Sequence, residues 1–286
     1  MELRNHVLKS KGEEAMIRKV KLSGLVLVLA IVLSAGLMAC TKTTRKTEDG
    51  SSKKIMVFAA ASLTESFNDI GNQIKKDKGI DVTFNYAGSQ ALVQEIDQSN
   101  GADVFASANT DYVDQLKKSD KVEESKIFAE NKLIICTSKS SKKSIKNFKD
   151  LAQGNLKLVV GDKAVPIGSY FYKALDSQKN KNVIDDNTYK SILSNIKSSE
   201  LNVKDVLAKV VLNEADAGVV YKTDVNEANK EKVNMIEDVA FNELKVQYPV
   251  ALLKASKNKD TAKEFVDYIV EGKGKEILKK YGFEIK

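Results

Sequence analysis

From residue 54 onward, short runs rich in β-branched residues alternate with longer amphipathic segments. Short apolar runs predict strands, and apolar residues three or four positions apart predict helices. Leu63, Phe67, Ile70 and Ile74 show this helical spacing. The alternation indicates an α/β fold in which helices flank mainly parallel sheets.

The pattern occurs in two series, which indicates two similar lobes. A chain of 286 residues also exceeds the roughly 100–200 residues of a typical single domain. Strands are predicted at residues 55–60, 80–86, 103–106, 132–137, 156–160, 217–220 and 248–253. Helices are predicted at residues 63–76, 90–98, 111–118, 168–177, 203–213, 261–271 and 275–281.

The amino-terminal segment has the anatomy of an export signal. Arg18, Lys19 and Lys21 precede an apolar run at residues 22–36, and small residues follow it. The run is shorter than the roughly 20 residues that cross a membrane, so a cleaved signal at residues 1–39 is favoured over a permanent span. Translation is expected to start at Met16, because the basic segment begins directly after it.

The sequence LMAC at residues 37–40 resembles the lipobox of bacterial lipoproteins. The resemblance implies that Cys40 is diacylated, and two acyl chains give stable membrane anchoring. The alternative is a free thiol that follows a soluble protein's signal. Residues 40–52 are polar and lack apolar periodicity, so they are expected to form a tether. Cys136 is expected to be a small core residue.

The charge of the chain does not indicate nucleic-acid binding. Residues 1–39 carry six basic and three acidic side chains, so the formal net charge falls from +7 to +4 once they are removed. Lysines and acids alternate through the rest of the chain, which is typical of solvated surfaces. Because no basic stripe is interleaved with aromatic residues, no nucleic-acid partner is expected.

Several enzyme classes are disfavoured by missing residue types. The one histidine, His6, lies in the predicted signal, so the mature chain has no imidazole for acid–base catalysis. The motifs G-x-S-x-G, G-x-x-x-x-G-K-[ST] and C-x-x-C do not occur. No enzymatic activity is therefore expected, although an anchored enzyme with an unusual site and a purely structural lipoprotein are kept as alternatives.

Two serines stand where a predicted strand runs into a predicted helix. Ser62 follows the first strand and Ser89 the second. A helix amino terminus offers unpaired N–H groups and partial positive charge, so a neighbouring hydroxyl completes an anion site. For Ser62 alone, the competing interpretation is an N-cap, because Ser62 and Glu65 match a capping box.

Eight segments, in order, resemble the molybdate-binding proteins of ABC importers. The resemblance covers residues 54–286. The segments are VFAAASLT (57–64), FNYAGS (84–89), GADVFASA (101–108), VGD (160–162), VPIGSY (165–170), GVVY (218–221), YPVA (248–251) and KYGF (280–283).

The resemblance implies a ligand site of five residues. Ser62 and Ser89 would each give a hydroxyl and a nearby N–H, Ile167 and Val203 would give backbone N–H groups, and Tyr221 a phenol hydroxyl. The implied ligand is molybdate or tungstate, with no cofactor and no site for a bare metal cation. Ile167 departs from the family pattern, which often has a small residue there. For Tyr221 the competing interpretation is a core aromatic.

The resemblance also implies a two-lobed periplasmic-binding-protein-like fold with two hinge crossings, expected near Lys132 and Ala255. Residues 53–132 and 256–286 would form the first lobe, and residues 133–255 the second. The implied partners are an ABC importer permease and its ATPase, and a monomer is expected. Within this class the alternative is a binding protein for another oxyanion, such as sulfate or phosphate.

Overall fold

The computed structural model describes residues 53–285, and this part of the chain contains ten strands and eight α-helices. The strands are β1 (Lys53–Ala60), β2 (Ile80–Ala87), β3 (Val104–Ala106), β4 (Val122–Asn131), β5 (Leu133–Ser138), β6 (Leu158–Gly161), β7 (Ile196–Glu200), β8 (Ala217–Tyr221), β9 (Val233–Ile236) and β10 (Val246–Leu253). The helices are α1 (Thr64–Lys78), α2 (Ser89–Ser99), α3 (Thr110–Lys118), α4 (Pro166–Asn180), α5 (Asp186–Asn195), α6 (Val203–Val211), α7 (Lys259–Val270) and α8 (Lys273–Lys280).

The described strands form two five-stranded sheets, which confirms the prediction of a two-lobed α/β fold. The order is β2-β1-β3-β10-β4 in the first lobe and β7-β6-β8-β5-β9 in the second. The sheets are more mixed than the sequence pattern predicts, because two of the four neighbour pairings in each sheet are antiparallel. The antiparallel pairings are β3 with β10, β10 with β4, β8 with β5, and β5 with β9.

The placement of β10 corrects the predicted boundary of the second lobe. The family resemblance implies that residues 133–255 form that lobe, but β10 pairs with β3 and β4 of the first sheet. One hinge crossing is at Lys132, between β4 and β5, and the other lies between β9 and β10 rather than near Ala255. An apolar run identifies a strand but not its sheet, since the partners of β10 are distant in sequence.

The parallel strands bring several strand ends to one edge of each sheet. β1, β2 and β3 run in the same direction, so Ala60, Ala87 and Ala106 end at the same edge of the first sheet. β6 runs parallel to β8, which ends at Tyr221. In open α/β sheets the carboxyl ends of the strands are where ligands bind.

An aromatic cluster joins the lobes behind this edge. The rings of Tyr221 in the second lobe and Tyr248 in the first pack edge to face with centroids 5.7 Å apart. Tyr248 also packs against Phe128 and Phe283, at 6.2 and 5.4 Å. The contact between Tyr221 and Tyr248 therefore packs one lobe directly against the other.

The predicted export signal (1–39) and tether (40–52), with Cys40, lie outside the described residues. Between residues 53 and 285, no helix is both long and apolar enough to span a membrane. Cys136 is fully buried in β5, and burial raises the pKa of its thiol to about 12.

Candidate functional site

All five residues predicted to bind a ligand line one cavity between the lobes. The cavity is small, and each of the five residues is at most 5% exposed. None of the thirteen side chains that line it in the described structure is charged. The lining residues are Ala60, Ala61, Ser62, Ala87, Gly88, Ser89, Ala108, Val165, Pro166, Ile167, Asn202, Val203 and Tyr221.

Ser62 reaches the cavity from a short 3-10 turn (Ala61–Leu63) that follows β1. Ala60 and Leu63 occupy the cap positions of this turn and of α1, so the N-cap interpretation of Ser62 is wrong. The Ser62 Oγ instead lies 3.0 Å from the hydroxyl of Tyr248. Ser62 therefore presents its hydroxyl at the cavity wall rather than capping α1.

Ser89 is the first residue of α2, directly after Gly88. Its Oγ accepts a hydrogen bond from the N–H of Ala108, at 3.2 Å. A hydroxyl has one proton to donate and two lone pairs, so this contact leaves the Ser89 proton available to a ligand. The N–H of Ser89 belongs to the first turn of α2, where N–H groups have no partner within the helix.

Ile167 and Val203 bring two helix amino termini from the second lobe. Pro166 is the first residue of α4 and has no N–H, so the N–H of Ile167 is the first that the helix offers. Val203 is the first residue of α6, after the N-cap Asn202. These first-turn N–H groups carry the positive end of the helix dipole, which favours an anion in the cavity.

Gly168 allows α4 to start close to the end of β6. A Cβ at this position would lie 2.0 Å from the carbonyl oxygen of Asp162. The Ile167 side chain packs toward Gly161 of β6, where an added Cβ would lie 2.7 Å from the Ile167 Cγ2. The bulky side chain of Ile167 therefore packs against Gly161 of its own lobe, while Ile167 still lines the cavity.

Tyr221 ends β8 and is 1% exposed, and its hydroxyl has no hydrogen-bond partner among residues 53–285. Burial raises the pKa of its phenol well above the ordinary value, so the group stays protonated. An unpaired buried hydroxyl costs stability, and such groups commonly meet a ligand or a water. Tyr221 is therefore a free donor at the cavity wall.

Charged groups lie just outside the lining. The Lys204 ammonium is 2.7 and 2.9 Å from the two carboxylate oxygens of Glu65, and 3.6 Å from Asp224 Oδ1. Asp224 is fully buried, and its Oδ2 accepts the N–H of Tyr221 at 3.1 Å. Burial raises the pKa of Asp224 to about 6, although the nearby Lys204 opposes this shift.

Hydrogen bonds and ion pairs across the cleft hold the lobes together around the cavity. Gln90 Nε2 donates to the carbonyl of Leu201 at 2.7 Å. Three further pairs join the first lobe to the second. They are Glu65 with Lys204, Asp111 with Lys173 at 3.4 Å, and the Tyr112 hydroxyl with the Ala164 carbonyl. The described structure is therefore a closed form.

Several residues that contact or surround the five predicted site residues were not predicted from the sequence. Tyr248 was predicted to lie in a strand and in a family-like segment but not at the site, yet its hydroxyl contacts Ser62. Asn202 and Ala108 line the cavity, and Lys204 and Asp224 lie beside it. A signal did exist for Lys204, which directly follows Val203, but its partner Glu65 is 139 residues away.

The site has no arrangement typical of a metal-cation centre. Within residues 53–285, no three His, Cys, Asp or Glu side chains are grouped closely enough to hold a metal ion. The cavity wall instead offers hydroxyl and backbone N–H donors. Donors of this kind, without a lining carboxylate, are suited to an anion with several oxygen acceptors.

The chain is similar to several molybdate-binding proteins. The molybdate-binding protein ModA of Mycobacterium tuberculosis is 34% identical over 262 residues, which cover 90% of this chain and 95% of that protein. ModA of Escherichia coli is 35% identical over 244 residues, covering 82% of this chain and 90% of that protein. The periplasmic molybdate-binding protein of Azotobacter vinelandii shares the fold, with a TM-score of 0.69 at 17% identity over 81% of this chain and 99% of that one.

Residues 55–284 match the family described as bacterial extracellular solute-binding protein. The match covers both lobes and all five cavity residues discussed above. The relatives are solute-binding proteins rather than enzymes. This chain belongs to the bacterial extracellular solute-binding protein family.

Proposed function

We propose that this protein captures molybdate between its two lobes and delivers it to the permease of an ABC importer, which a cytoplasmic ATPase drives. The observation that carries the proposal is the uncharged cavity, where Ser62, Ser89 and the unpartnered hydroxyl of Tyr221 meet two helix amino termini. The relatives named as molybdate-binding proteins support the same ligand.

Neutral donors can hold a doubly charged oxyanion. Taking such an ion out of water is costly unless hydrogen bonds replace its hydration. Here the replacements are hydroxyls and first-turn N–H groups, whose positions within each lobe are set by the fold. The first lobe supplies Ser62 and Ser89, whereas the second supplies Ile167, Val203 and Tyr221. Because the full set assembles only when the lobes meet, the ligand stabilises the closed form.

Selectivity among oxyanions is expected to depend on the size of the anion and on whether the anion carries a proton. Tungstate has the charge and shape of molybdate, so it should bind as well, whereas sulfate is smaller and would leave donors unfilled. Phosphate near neutral pH carries a proton that needs an acceptor, and no carboxylate lines the cavity. Sulfate or phosphate binding is the competing function within the same class.

Competition dialysis tests the proposed ligand. Residues 51–286 form one compact unit and can be dialysed against labelled molybdate with unlabelled competitors. Tungstate should displace molybdate at equal concentration, and a hundredfold excess of sulfate or phosphate should not. Displacement by sulfate at equal concentration would instead assign the protein to another oxyanion. If the protein bound no oxyanion but converted a substrate to product, the alternative of a membrane-anchored enzyme would be favoured.

We also propose that Cys40 carries a lipid that anchors the protein to the outer face of the cell membrane as a monomer. The lipobox-like sequence and the polar segment 40–52 support this assignment. Replacing Cys40→Ser should move the protein from the membrane fraction to the medium and abolish labelling by a radioactive fatty acid. Cys136→Ser is the matched control and should leave both unchanged.

A further inference from the structure

A hydrogen-bonded chain leads from the hinge to Ser62. Asn131 is the last residue of β4, next to the crossing at Lys132, and is 6% exposed. Its Nδ2 lies 3.4 Å from the Tyr248 hydroxyl, which lies 3.0 Å from the Ser62 Oγ. Tyr248 is completely buried. The chain therefore joins three buried polar side chains of the first lobe, and it ends at the cavity.

The backbone fixes the direction of the Asn131 amide. The N–H of Lys132 donates to Asn131 Oδ1 at 2.9 Å, so the oxygen of this amide is already in use as an acceptor. The nitrogen must then face the other side, where it donates to Thr223 Oγ1 at 2.8 Å and to Tyr248. An amide NH₂ group only donates. The Tyr248 oxygen is consequently the acceptor of this contact.

The direction of the next hydrogen bond in the chain, between Tyr248 and Ser62, depends on which of its partners can accept. The Ser62–Tyr248 contact is compatible with either direction, but the Asn131 Nδ2 cannot accept, so Ser62 is the acceptor among these two partners that pairs the buried Tyr248 proton. We therefore assign this proton to the Ser62 Oγ. Burial keeps this phenol protonated, because it raises the pKa of Tyr248 well above the ordinary value. Ser62 then accepts from Tyr248, and its own proton is left to point at the cavity. Ser89 has the same arrangement, since it accepts from the N–H of Ala108.

We propose that Asn131 and Tyr248 are positioning residues that hold Ser62 as a hydrogen-bond donor, so that the cavity accepts oxyanions without a proton. The inference rests on the proposed function and names the residues that set its selectivity. A protonated oxyanion such as monohydrogen phosphate needs an acceptor in the site. Ser62 could act as that acceptor only if the Tyr248 proton were absent or turned away.

Calorimetric titration of the full chain in detergent with sodium molybdate, and separately with sodium phosphate, tests the inference. Tyr248→Phe removes the proton given to Ser62, and molybdate affinity should fall roughly tenfold, the usual effect of one hydrogen bond. The ratio of phosphate to molybdate affinity should rise. Tyr268→Phe is the matched control, because its buried hydroxyl donates to Asp77 at 2.8 Å, away from the cavity.

A double-mutant cycle separates positioning from general packing. In a Ser62→Ala background, Tyr248→Phe should cost less than about twofold, because the two residues act as one unit. Asn131→Asp supplies a second route. The new carboxylate would accept the Tyr248 proton, so Ser62 would have to donate to Tyr248 instead of to the ligand. Molybdate affinity should then fall more than tenfold, in a protein whose circular dichroism is unchanged.

The possible outcomes distinguish a failure of this inference from a failure of the proposed function. Wild-type affinity in Tyr248→Phe, or an equal loss with and without Ser62, would overturn this inference and leave the proposed function standing. A wild-type protein that binds no molybdate would overturn the proposed function itself, and the inference with it. An unfolded Tyr248→Phe variant would leave Asn131→Asp to decide, and unchanged selectivity there would overturn the inference.

Discussion

The ammonium of Lys204 in the second lobe lies 2.7 Å from the carboxylate of Glu65 in the first. Each residue is close in sequence to a cavity residue, since Lys204 follows Val203 and Glu65 lies three positions after Ser62. The ion pair therefore forms only when the two halves of the site approach each other. It acts as a latch on the closed form without touching the cavity.

Removing the latch should weaken ligand binding without removing a ligand contact. Lys204 is 25% exposed and Glu65 39%, so screening limits the pair to about 0.2–1 kcal/mol. Glu65→Gln should therefore weaken molybdate binding by up to about fivefold, as measured by calorimetry. Glu264→Gln is the control, because it breaks a pair with Lys53 inside the first lobe. Equal losses in both variants would contradict a latch.

The pH dependence of stability should depend on Asp224. Burial raises its pKa in the folded protein to about 6, from 3.8 in an exposed carboxyl. Between these values the folded state holds a proton that the unfolded state has released, so stability falls as pH rises through this window. Above pH 6 the loss is complete, because Asp224 is ionised in both states.

Asp224→Asn should remove this fall. Relative to the wild type, the variant should gain stability as pH rises from about 4 to 7, by up to roughly 3 kcal/mol. Urea unfolding at several pH values measures the difference. Parallel stability curves for the two proteins would show that Asp224 is not the titrating group.

Gly88 should be essential for closure rather than for folding. Its φ of −62° suits any residue, but a Cβ there would lie 2.3 Å from the carbonyl oxygen of Leu201 across the cleft. Gly88→Ala should reduce molybdate affinity more than about tenfold, since it hinders the ligand-binding form. The unfolding midpoint of the ligand-free protein should change little.

Gly154→Ala provides the matched control, because a Cβ at that position meets no atom within 4 Å. Its affinity and midpoint should both remain at wild-type values. A Gly88→Ala protein that binds molybdate normally would show that the lobes can close without the tight contact to Leu201.

Tyr221→Phe should separate binding from stability. The Tyr221 hydroxyl has no hydrogen-bond partner in the described part of the chain, so its removal should leave the stability of the ligand-free protein unchanged or slightly higher. Its loss should weaken molybdate binding about ten- to hundredfold, the range for a hydrogen bond to a charged group. A stability loss with unchanged affinity would favour the core-aromatic interpretation.

The sequence predicted which residues share the cavity better than it predicted the sheets. Ser62 and Ser89 are recognisable because small polar residues follow predicted strands. Ile167 and Tyr221 lie in family-like motifs, whereas Val203 is implied by the overall resemblance alone. These signals are local in the sequence. Parallel strands bring their carboxyl ends to one edge of a sheet, so the strand order need not be known to predict that the residues lie close together. The cavity contains all five residues for this reason, and their contacts with a ligand remain a prediction.

The parts that were not predicted depend on distant partners. β4, β7 and β9 were missed because residues such as Glu123, Glu124, Lys197 and Asn234 interrupt their apolar character. No helix was predicted at the position of α5, although Asp185 caps this helix by accepting from the N–H of Thr188. β10 was placed in the wrong lobe, because its pairing with β3 spans more than 140 residues.

The most direct test of the account is thermal unfolding of residues 51–286 with and without molybdate, for the wild type and for a Ser62→Ala, Ser89→Ala, Tyr221→Phe triple variant. A ligand that binds only the folded state raises the midpoint, by roughly 5–10 °C at a hundred times its Kd for a protein of this size. We expect this rise in the wild type and no rise in the triple variant. No rise in the wild type, or the same rise in both proteins, would contradict the assignment of this cavity as the oxyanion site.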